Sequence, residues 1–160
     1  PISFNRSNTH RVASLSQEVS LKGNITIAQF LKFHSELFDG YSLEEEMRLC
    51  DYFDLDVKMK IGALSTGQQK KVQIVAGLAC MPELLLVDEI TAVLDPEARA
   101  QFFELLLRHR TEYGTSILLA TNIAEDLIGR ADKVLFLSDG KGEEFDPKDI
   151  NKLFNLDIAQ

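Results

Sequence analysis

Cysteine is scarce in this sequence, which has only Cys50 and Cys80 among its 160 residues. Both lie in stretches predicted to be helical, and neither belongs to a Cys/His cluster with the spacing of a zinc site. Two isolated thiols of this kind are typical of small buried side chains in a reducing compartment. The scarcity therefore argues against a disulfide scaffold and against a zinc domain.

Long hydrophobic runs are also missing. No stretch approaches the roughly 18 apolar residues that a membrane-spanning helix needs, so any role at a membrane is expected to depend on a partner protein. The first ten residues, Pro1–His10, contain no apolar core of a secretory signal. They also contain no initiator methionine, so we expect the chain to begin inside a longer protein.

Basic residues are in the minority, since 17 Lys and Arg stand against 25 Asp and Glu, for a formal net charge of -8. A general nucleic-acid-binding protein usually carries a basic patch, so no nucleic-acid partner is expected. Backbone N–H groups could still bind one acidic ligand. What is present is a globular composition, with 45% hydrophobic and 26% charged residues, in a chain long enough for one domain with a real core.

Four short apolar runs punctuate the chain. Continuous apolarity over about four residues, bounded by polar or turn residues, is typical of strands covered on both faces of a parallel sheet. The runs are Val12–Leu15, Leu84–Val87, Ile117–Ala120 and Val134–Leu137.

A stretch with apolar residues at helical spacing connects the second run to the third. Asp95 can cap this helix, Pro96 suits its first turn and Gly114 follows its end. Strand, helix and strand in this order predict a parallel crossover unit. A second such unit is predicted through Ala124–Ile128 to the fourth run. The fold class is therefore α/β, a parallel sheet with covering helices.

Between the first two runs, the chain carries signals for three helices instead. Thr26 can cap the first helix, Ser42 and Glu45 form a capping-box pattern at the second, and Ser65 and Gln68 form one at the third. We predict that this block is a helical subdomain inserted into an α/β core.

The predicted domain boundaries follow from this pattern. The α/β core comprises residues 1–23 and 82–140, and the helical subdomain comprises residues 24–81. Residues 141–160 are predicted to be a polar, acidic C-terminal extension with a helical turn near Ile150–Leu156.

The strongest chemical signal is Leu84–Glu89, a predicted buried strand that ends in two acids. Ligands of open α/β sheets bind at the C-terminal ends of the strands. A carboxylate there, such as Asp88, can hold Mg²⁺ beside a nucleotide phosphate. The adjacent carboxylate of Glu89 can orient and polarise an attacking water. The alternative is that both acids simply terminate a strand.

A Ser-Thr-Gly turn opens the third helix of the subdomain, within Leu64–Gln69. The first amides of a helix have no intrahelical acceptor and lie at the positive end of its dipole, so this helix start can bind an anion. Gly67 permits a close approach that a Cβ would obstruct. Taken alone, an ordinary capping box is the simpler interpretation of this segment.

In combination, these segments resemble the ATP-binding-cassette (ABC) transporter ATPase domain in their order and spacing. Leu64–Gln68 is similar to the signature motif, with Thr66 where glycine is commoner. Leu84–Glu89 is similar to the Walker B strand, Ala92–Asp95 is similar to the D-loop, and Gln17 falls where the family has its Q-loop glutamine.

The resemblance runs from about Ile2 to Asp139. It implies a P-loop NTPase-like parallel sheet with helices on both faces and an inserted helical subdomain that carries the signature. It also implies that the N-terminal part of the fold is missing, and it implies ATP and Mg²⁺ as cofactors.

The resemblance further implies roles for individual residues. Asp88 would support Mg²⁺, Glu89 would be the catalytic base, and Gln17 would contact the metal or the lytic water and report to the transport partner. A second cassette, paired head-to-tail with this one, would hold a nucleotide that the signature residues Ser65, Thr66, Gly67 and Gln68 touch. Asp95 would help couple the two nucleotide sites.

Two departures from the family pattern bear on activity. The phosphate-binding Walker A loop, G-x-x-x-x-G-K-[ST], is absent from these 160 residues, and the family places it just upstream of this region. Lys70 and Lys71 lie on the signature helix and are predicted to be solvated, so neither replaces the loop. We therefore predict that this chain alone neither binds nor hydrolyses ATP.

The second departure is Asn122, which stands where the family usually has the switch histidine. An asparagine can donate a hydrogen bond to a phosphate but cannot become cationic, which would slow hydrolysis. The alternative is that Asn122 caps a helix at Ile123–Ile128. The histidines His10, His34 and His109 fall on no family motif and are predicted to lie at the surface or on helix faces.

Three functions remain open from the sequence. The first is the energy-coupling ATPase subunit of a membrane transporter, bound to a transmembrane permease at the cytoplasmic face, with a looser resemblance to bacterial small-solute exporters. The second is an ABC ATPase without a permease that acts on nucleic acid or ribosomes, which the acidic composition and the missing coiled-coil heptads disfavour. The third is a non-catalytic, degenerate cassette that binds a partner without turnover.

Overall fold

The computed structural model describes residues 11–17, 21 and 23–150, and divides the chain into two compact units at Ala120/Thr121. The strands are β1 Val12–Ser16, β2 Leu84–Asp88, β3 Ser116–Ala120, β4 Val134–Ser138 and β5 Lys141–Phe145, and the α-helices are α1 Ile27–Leu37, α2 Leu43–Tyr52, α3 Thr66–Ala79 and α4 Pro96–Tyr113.

The first unit contains a parallel sheet in the order β1-β2-β3. Its register places Ser16 opposite Asp88 and Asp88 opposite Ala120, so that all three strands end level with one another. The three strands occupy the predicted runs, and α4 connects β2 to β3 as the predicted crossover. The α/β class with a parallel sheet is therefore confirmed.

Coverage of both faces of this sheet was expected from the apolar runs, and β3 departs from that expectation. The side chain of Leu118, in the middle of β3, is 64% exposed within the described part of the chain. By contrast, Leu85 and Val87 of β2 are buried. Continuous apolarity thus identified the strand correctly but did not establish what covers each face.

The fourth run forms a strand, but not in the parallel sheet. Within the described residues, β4 pairs antiparallel with β5 in a separate two-stranded sheet. The loop between them consists of Asp139 and Gly140, both at positive φ (50° and 74°), as a tight hairpin requires. The prediction of a second parallel crossover was therefore wrong for the part of the chain that the structure describes.

Two local predictions in the second unit change accordingly. The helix expected at Ala124–Ile128 is only a 3-10 turn at Ala124–Asp126. The stretch expected to be a polar, acidic extension contains β5, followed by a 3-10 turn at Pro147–Asp149. The helical turn predicted near Ile150–Leu156 lies outside the described residues beyond Ile150.

Side-chain caps begin the helices where the sequence predicted them. At α1 the Thr26 hydroxyl accepts from the amide of Gln29, whose side chain accepts from the Thr26 amide in return. At α4 the Asp95 carboxylate accepts from the amide of Ala98 at 2.8 Å, Pro96 occupies the first turn, and Gly114 ends the helix at φ 71°. These caps satisfy amides and a carbonyl that the helices leave unpaired.

The second helix departs from its predicted capping box. Ser42 caps α2 through the amide of Glu45, but the Glu45 carboxylate does not return to the cap. Glu45 is only 3% exposed, and its carboxylate accepts from Arg48 Nε at 2.9 Å and from Tyr113 Oη at 3.3 Å. A buried carboxylate needs such donors more than the cap does, because burying an unpaired charge is very costly.

His109 completes this cluster. It was expected at the surface or on a helix face; it lies on α4, but on a face that is fully buried. Its Nε2 lies 3.1 Å from the Glu45 carboxylate, which also lies 3.3 Å from Arg108 Nη1. The Glu45 cluster, formed by Glu45, Arg48, Arg108, His109 and Tyr113, therefore ties α2 of the helical block to α4 of the α/β part.

The hydrophobic core lies around α3. Within this core, Val72, Ile74, Val75 and Leu78 of α3 are buried together with Leu15 of β1. Gly77 permits the close contact of helix and strand, because a Cβ at this position would meet the Leu15 Cδ2 methyl at 2.8 Å.

Both cysteines are buried and unpaired, as predicted. Burial raises the pKa of the Cys50 thiol to about 11 and that of the Cys80 thiol to about 12. Both groups are therefore protonated and unreactive near neutral pH. Among the residues that the structure describes, no helix combines the length and apolarity that crossing a bilayer demands.

Two glycines of α3 offer a matched test of this packing. We predict that Gly77→Val lowers the free energy of unfolding by about 1–3 kcal/mol, because the added methyls would overpack the contact with Leu15. Gly67→Val should change it by less than about 0.5 kcal/mol, since no atom lies within 4 Å of a Cβ at Gly67. Urea unfolding monitored by circular dichroism measures both, and equal effects would contradict the packing model.

The Glu45 cluster predicts a pH dependence of stability. Burial lowers the pKa of His109, and the Glu45 carboxylate opposes this only in part. The unfolded chain therefore binds a proton that the folded chain excludes, so the free energy of unfolding falls as pH decreases through about 6.5. Between pH 7.5 and 5.5 we expect this site to contribute a loss of up to about 1.4 kcal/mol.

The measurement is urea unfolding of wild type and His109→Gln at both pH values. Glutamine keeps an N–H donor for Glu45 but cannot titrate, so the variant should lose less stability on acidification. His34→Gln is the control, because burial also lowers the pKa of His34. Each variant should remove only the part of the pH dependence of stability that its own histidine contributes. An unchanged pH slope in His109→Gln would show that His109 is not the titrating group.

Candidate functional site

Three predicted site residues lie at the carboxyl edge of the parallel sheet. Gln17 directly follows β1, Asp88 ends β2 and Glu89 follows it, and all three are exposed. The backbone N–H of Gln17 donates to the backbone carbonyl of Asp88 at 3.0 Å, and the backbone N–H of Glu89 donates to the backbone carbonyl of Ala120 at 3.0 Å. Backbone hydrogen bonds thus continue the sheet pairing past the strand ends and bring these side chains to one edge.

Glu89 has an unusual backbone conformation. Its φ of 49° and ψ of 18° lie in the left-handed region, which costs a non-glycine residue about 1–2 kcal/mol. Its carbonyl accepts from the Ala92 amide at 3.3 Å, and a 3-10 helix at Ile90–Val93 follows at once. The chain therefore reverses directly after the strand, and Glu89 is held on an exposed turn. Strained backbone of this kind is often found where a side chain must be positioned for function.

The acidic pair fits a metal that arrives with a phosphate ligand. Within the described residues, no group of three or more His, Cys, Asp and Glu side chains is arranged to hold a metal ion. Mg²⁺ is commonly held by only one or two protein carboxylates, with waters and substrate phosphates completing its octahedron. Asp88 and Glu89 supply such carboxylates, and the amide oxygen of Gln17 is a further oxygen at the same edge.

The start of α3 combines a capping box with open amides. The Ser65 hydroxyl accepts from the Gln68 amide at 3.2 Å, and the Gln68 side chain accepts from the Ser65 amide at 3.0 Å. Ser65, Thr66 and Gln68 are all exposed. The capping-box interpretation is therefore correct, and the Ser65 and Gln68 side chains are each engaged by the backbone amide of the other residue.

The next two amides remain available for a ligand. Thr66 and Gly67 occupy the first positions of α3, and no acceptor is found for their amides among the residues that the structure describes. The space beside Gly67 is open. An anion could therefore approach both amides at the positive end of a 14-residue helix.

The residues that follow the signature segment were not predicted to matter. Lys70 was expected to be solvated but is only 2% exposed, with its Nζ 2.7 Å from the Gln17 carbonyl and 3.0 Å from the Ser16 carbonyl. Gln69 accepts from the Leu21 amide at 3.2 Å. The signal available in the sequence was the position of Lys70 four residues before Ile74, on the face of α3 that packs into the core.

Lys71 is also not a fully solvated side chain. It is half-buried, and its ammonium lies 5.7 Å from the ring centroid of Phe53. Neither lysine extends from the exposed start of α3. Their contacts within the protein, rather than solvation, are therefore the reason that neither replaces a phosphate-binding lysine.

Asp95 and Asn122 have different structural roles. Asp95 caps α4 as predicted, while its proposed coupling of two sites stays a prediction. Asn122 belongs to the second unit, and the interpretation that it caps a helix was wrong. Thr121 takes the local role instead, because its hydroxyl accepts from the Ile123 amide at 3.0 Å and donates to Asp126 Oδ2 at 2.9 Å. The exposed Asn122 side chain remains a candidate for the switch position.

Comparison with known proteins supports the resemblance noted in the sequence. The family model described as ABC transporter matches residues 3–92. The methionine import ATP-binding protein MetN of Lactobacillus delbrueckii is 32% identical over 136 residues, which cover 82% of this chain and 39% of MetN. The energy-coupling factor transporter ATP-binding protein EcfA2 of Enterococcus faecalis is 40% identical over 123 residues, covering 72% of this chain and 42% of EcfA2.

The three-dimensional comparison agrees. A solved structure described as the ATP binding subunit of an ABC transporter superposes with a TM-score of 0.79 and 25% sequence identity, covering 96% of this chain and 66% of that chain. This chain spans about two fifths of the length of the curated relatives named above. The matching family model, the relatives above 30% identity and the shared fold show that the chain belongs to the ABC transporter family, in its ATP-binding branch.

Proposed function

We propose that the whole protein is the ATP-binding and ATP-hydrolysing subunit of a membrane transporter. The observation that carries this proposal is the alignment of Gln17, Asp88 and Glu89 at one edge of the parallel sheet, held by the Gln17–Asp88 and Glu89–Ala120 backbone hydrogen bonds. These side chains combine an amide with two exposed carboxylates. Such a set suits hydrolysis of a metal-bound phosphate.

In this proposal each residue has a distinct task. Mg²⁺, when bound, would neutralise phosphate charge, and Asp88 with Gln17 would hold it at the sheet edge. Glu89 would orient the attacking water and accept its proton. Its left-handed backbone supports this role, because it turns the chain directly after β2 and a base must be aligned with the water that it activates.

A second cassette would complete the nucleotide site. The open amides of Thr66 and Gly67 can bind an anion, and we propose that this anion is a phosphate of ATP held by an opposing subunit in a head-to-tail pair. Ser65 and Gln68 would shape the helix start, and Asp95 would couple the two sites. The exposure of Ser65, Thr66 and Gln68 supports such an intersubunit contact.

A transmembrane permease is the proposed membrane partner. Helix α1 exposes Phe33 and Leu37, and α2 exposes Leu43 and Met47, each pair at i, i+4 on one helix face. Large exposed apolar side chains of this kind favour a protein contact. Through this contact the protein would sit at the cytoplasmic face of the membrane without crossing it.

The transported solute and the direction of transport go beyond these observations. Export of a small solute stays a prediction from the sequence, and one of the relatives named above is described as an import protein. A non-catalytic cassette is the second candidate function. It is favoured by one observation, the exposed Asn122 in place of a histidine.

We predict that Glu89→Gln in the whole protein lowers ATP turnover by about 10²- to 10⁴-fold, because glutamine cannot accept the proton of the attacking water. Phosphate release measures the rate, and Glu97→Gln is the matched control, since Glu97 is an exposed acid in the first turn of α4. The control should retain turnover within about twofold. Equal, measurable turnover of Glu89→Gln and wild type would remove Glu89 from the role of base, whereas no turnover by wild type would support the non-catalytic alternative.

We also predict that the 160-residue chain alone gives no ATP binding heat in a calorimetric titration. The chain contains no Walker A loop, and a highly charged triphosphate needs the several N–H donors and the cation that this loop supplies. Micromolar binding by the chain would overturn this prediction.

A further inference from the structure

Lys70 is a charged side chain in the interior of the first unit. It is only 2% exposed, although it lies one helical turn after the exposed start of α3. The acceptors within hydrogen-bond distance of its Nζ include the Gln17 carbonyl at 2.7 Å, the Ser16 carbonyl at 3.0 Å and Gln73 Oε1 at 3.3 Å. An ammonium can donate three hydrogen bonds.

Burial of an ammonium has to be offset by such contacts. Removing an ionised group from water is very costly unless it is hydrogen-bonded, and charge-assisted hydrogen bonds are about twice as strong as neutral ones. Two of these acceptors are backbone carbonyls at the end of β1, more than 50 residues earlier in the chain. The lysine therefore connects α3 to the segment that carries Gln17.

Gln69 provides a second connection to the same segment. Its Oε1 accepts from the Leu21 amide at 3.2 Å, and its Nε2 donates to the Leu64 carbonyl at 3.4 Å, just before α3. Consecutive residues of α3 thus hold Gln17 and Leu21. The Gln17 amide in turn donates to the Asp88 carbonyl, which extends the connection to the acidic strand end.

We propose that Lys70 is a positioning residue that fixes Gln17 and thereby couples the anion-binding start of α3 to the acidic pair at the end of β2. The steps of this coupling are the rigid first turn of α3, the Lys70–Gln17 carbonyl contact and the Gln17–Asp88 backbone hydrogen bond. Binding of a phosphate at Thr66 and Gly67 would then be linked to the placement of the Gln17 side chain. This inference rests on the proposed ATPase function.

The charge of Lys70, rather than its bulk, is the feature that the proposal requires. Methionine has a similar length but no donor, so Lys70→Met would leave the Gln17 carbonyl without its ammonium. Arginine would keep the charge and the donors. A cavity of about 260 Å³ is lined in part by Ser16 and Gln73, two of the residues that accept hydrogen bonds from Lys70. Lys70→Arg should therefore rescue what Lys70→Met loses.

The first test measures the position of Gln17 without measuring catalysis. Hydrogen exchange of the Gln17 and Leu21 amides is followed in the whole protein for wild type, Lys70→Met, Lys70→Arg and Lys71→Met. We expect Lys70→Met to speed exchange at Gln17 about tenfold, while Lys70→Arg and the matched control Lys71→Met stay near wild type. Unchanged exchange at Gln17 in a folded Lys70→Met would overturn the proposal.

The second test separates positioning from folding and from nucleotide binding. In the whole protein we expect Lys70→Met to lower kcat about tenfold with little change in KM for ATP, because a displaced Gln17 impairs the hydrolytic geometry. Lys70→Arg should restore kcat. Loss of kcat that Lys70→Arg does not restore, or an equal loss in Lys71→Met, would contradict a role of the buried charge. If Lys70→Met does not fold, Lys70→Gln carries the same comparison, since its neutral amide reaches fewer acceptors.

The two tests distinguish failure of this inference from failure of the proposed function. If Glu89→Gln abolishes turnover but Lys70→Met alters neither exchange nor kcat, the coupling is wrong and the ATPase proposal stands. If the wild-type protein shows no ATP turnover, the ATPase proposal fails, and the coupling to catalysis fails with it. The exchange measurement then still decides whether Lys70 fixes Gln17.

Discussion

The parallel pairing of β2 with β1 on one side and β3 on the other is the constraint on which the candidate site depends. The pairing places Ser16, Asp88 and Ala120 in one row, and two backbone hydrogen bonds extend it to Gln17 and Glu89. In an antiparallel arrangement the residues that follow β1 and β2 would lie at opposite edges of the sheet. Parallel register thus converts separate sequence positions into a local cluster of side chains, as is general for open α/β sheets.

Two buried charges hold the helices to this framework, and both act between elements distant in sequence. Lys70 connects α3 with the end of β1, and Glu45 connects α2 with α4. Hydrophobic groups of equal volume often stabilise a fold as well as a buried ion pair does. What charged groups add is geometry, because their hydrogen bonds are directional and an alternative register would leave a charge unpaired. We infer that both groups fix the arrangement of their helices, whereas the surrounding apolar core supplies most of the stability.

The sequence was sufficient for features that depend on local rules. Caps at Thr26, Ser65 and Asp95 formed as predicted, since each needs only a side chain and an amide three residues later. The hairpin at Asp139–Gly140 was missed although Asp-Gly is a strong turn signal, because the exposed, charged β5 lacks an apolar pattern. The buried states of Lys70, Glu45 and His109 could not be predicted by such rules. Each of them has a partner more than 50 residues away, and only the tertiary fold brings these residues together.

The charges of the described residues also limit what this site can do unaided. A triphosphate brought to the carboxyl edge of the sheet would face Asp88 and Glu89, two exposed carboxylates that repel it. Lys70 lies closest along the chain to the anion-binding helix start, but its ammonium is buried and directed to the Ser16 and Gln17 carbonyls. Its positive charge therefore organises protein backbone rather than phosphate. In the proposed function, cations that neutralise the nucleotide would have to come from Mg²⁺ and from residues outside the described sheet edge. For this reason, the acidic edge can position water and metal but requires a separate phosphate-binding element to retain the nucleotide.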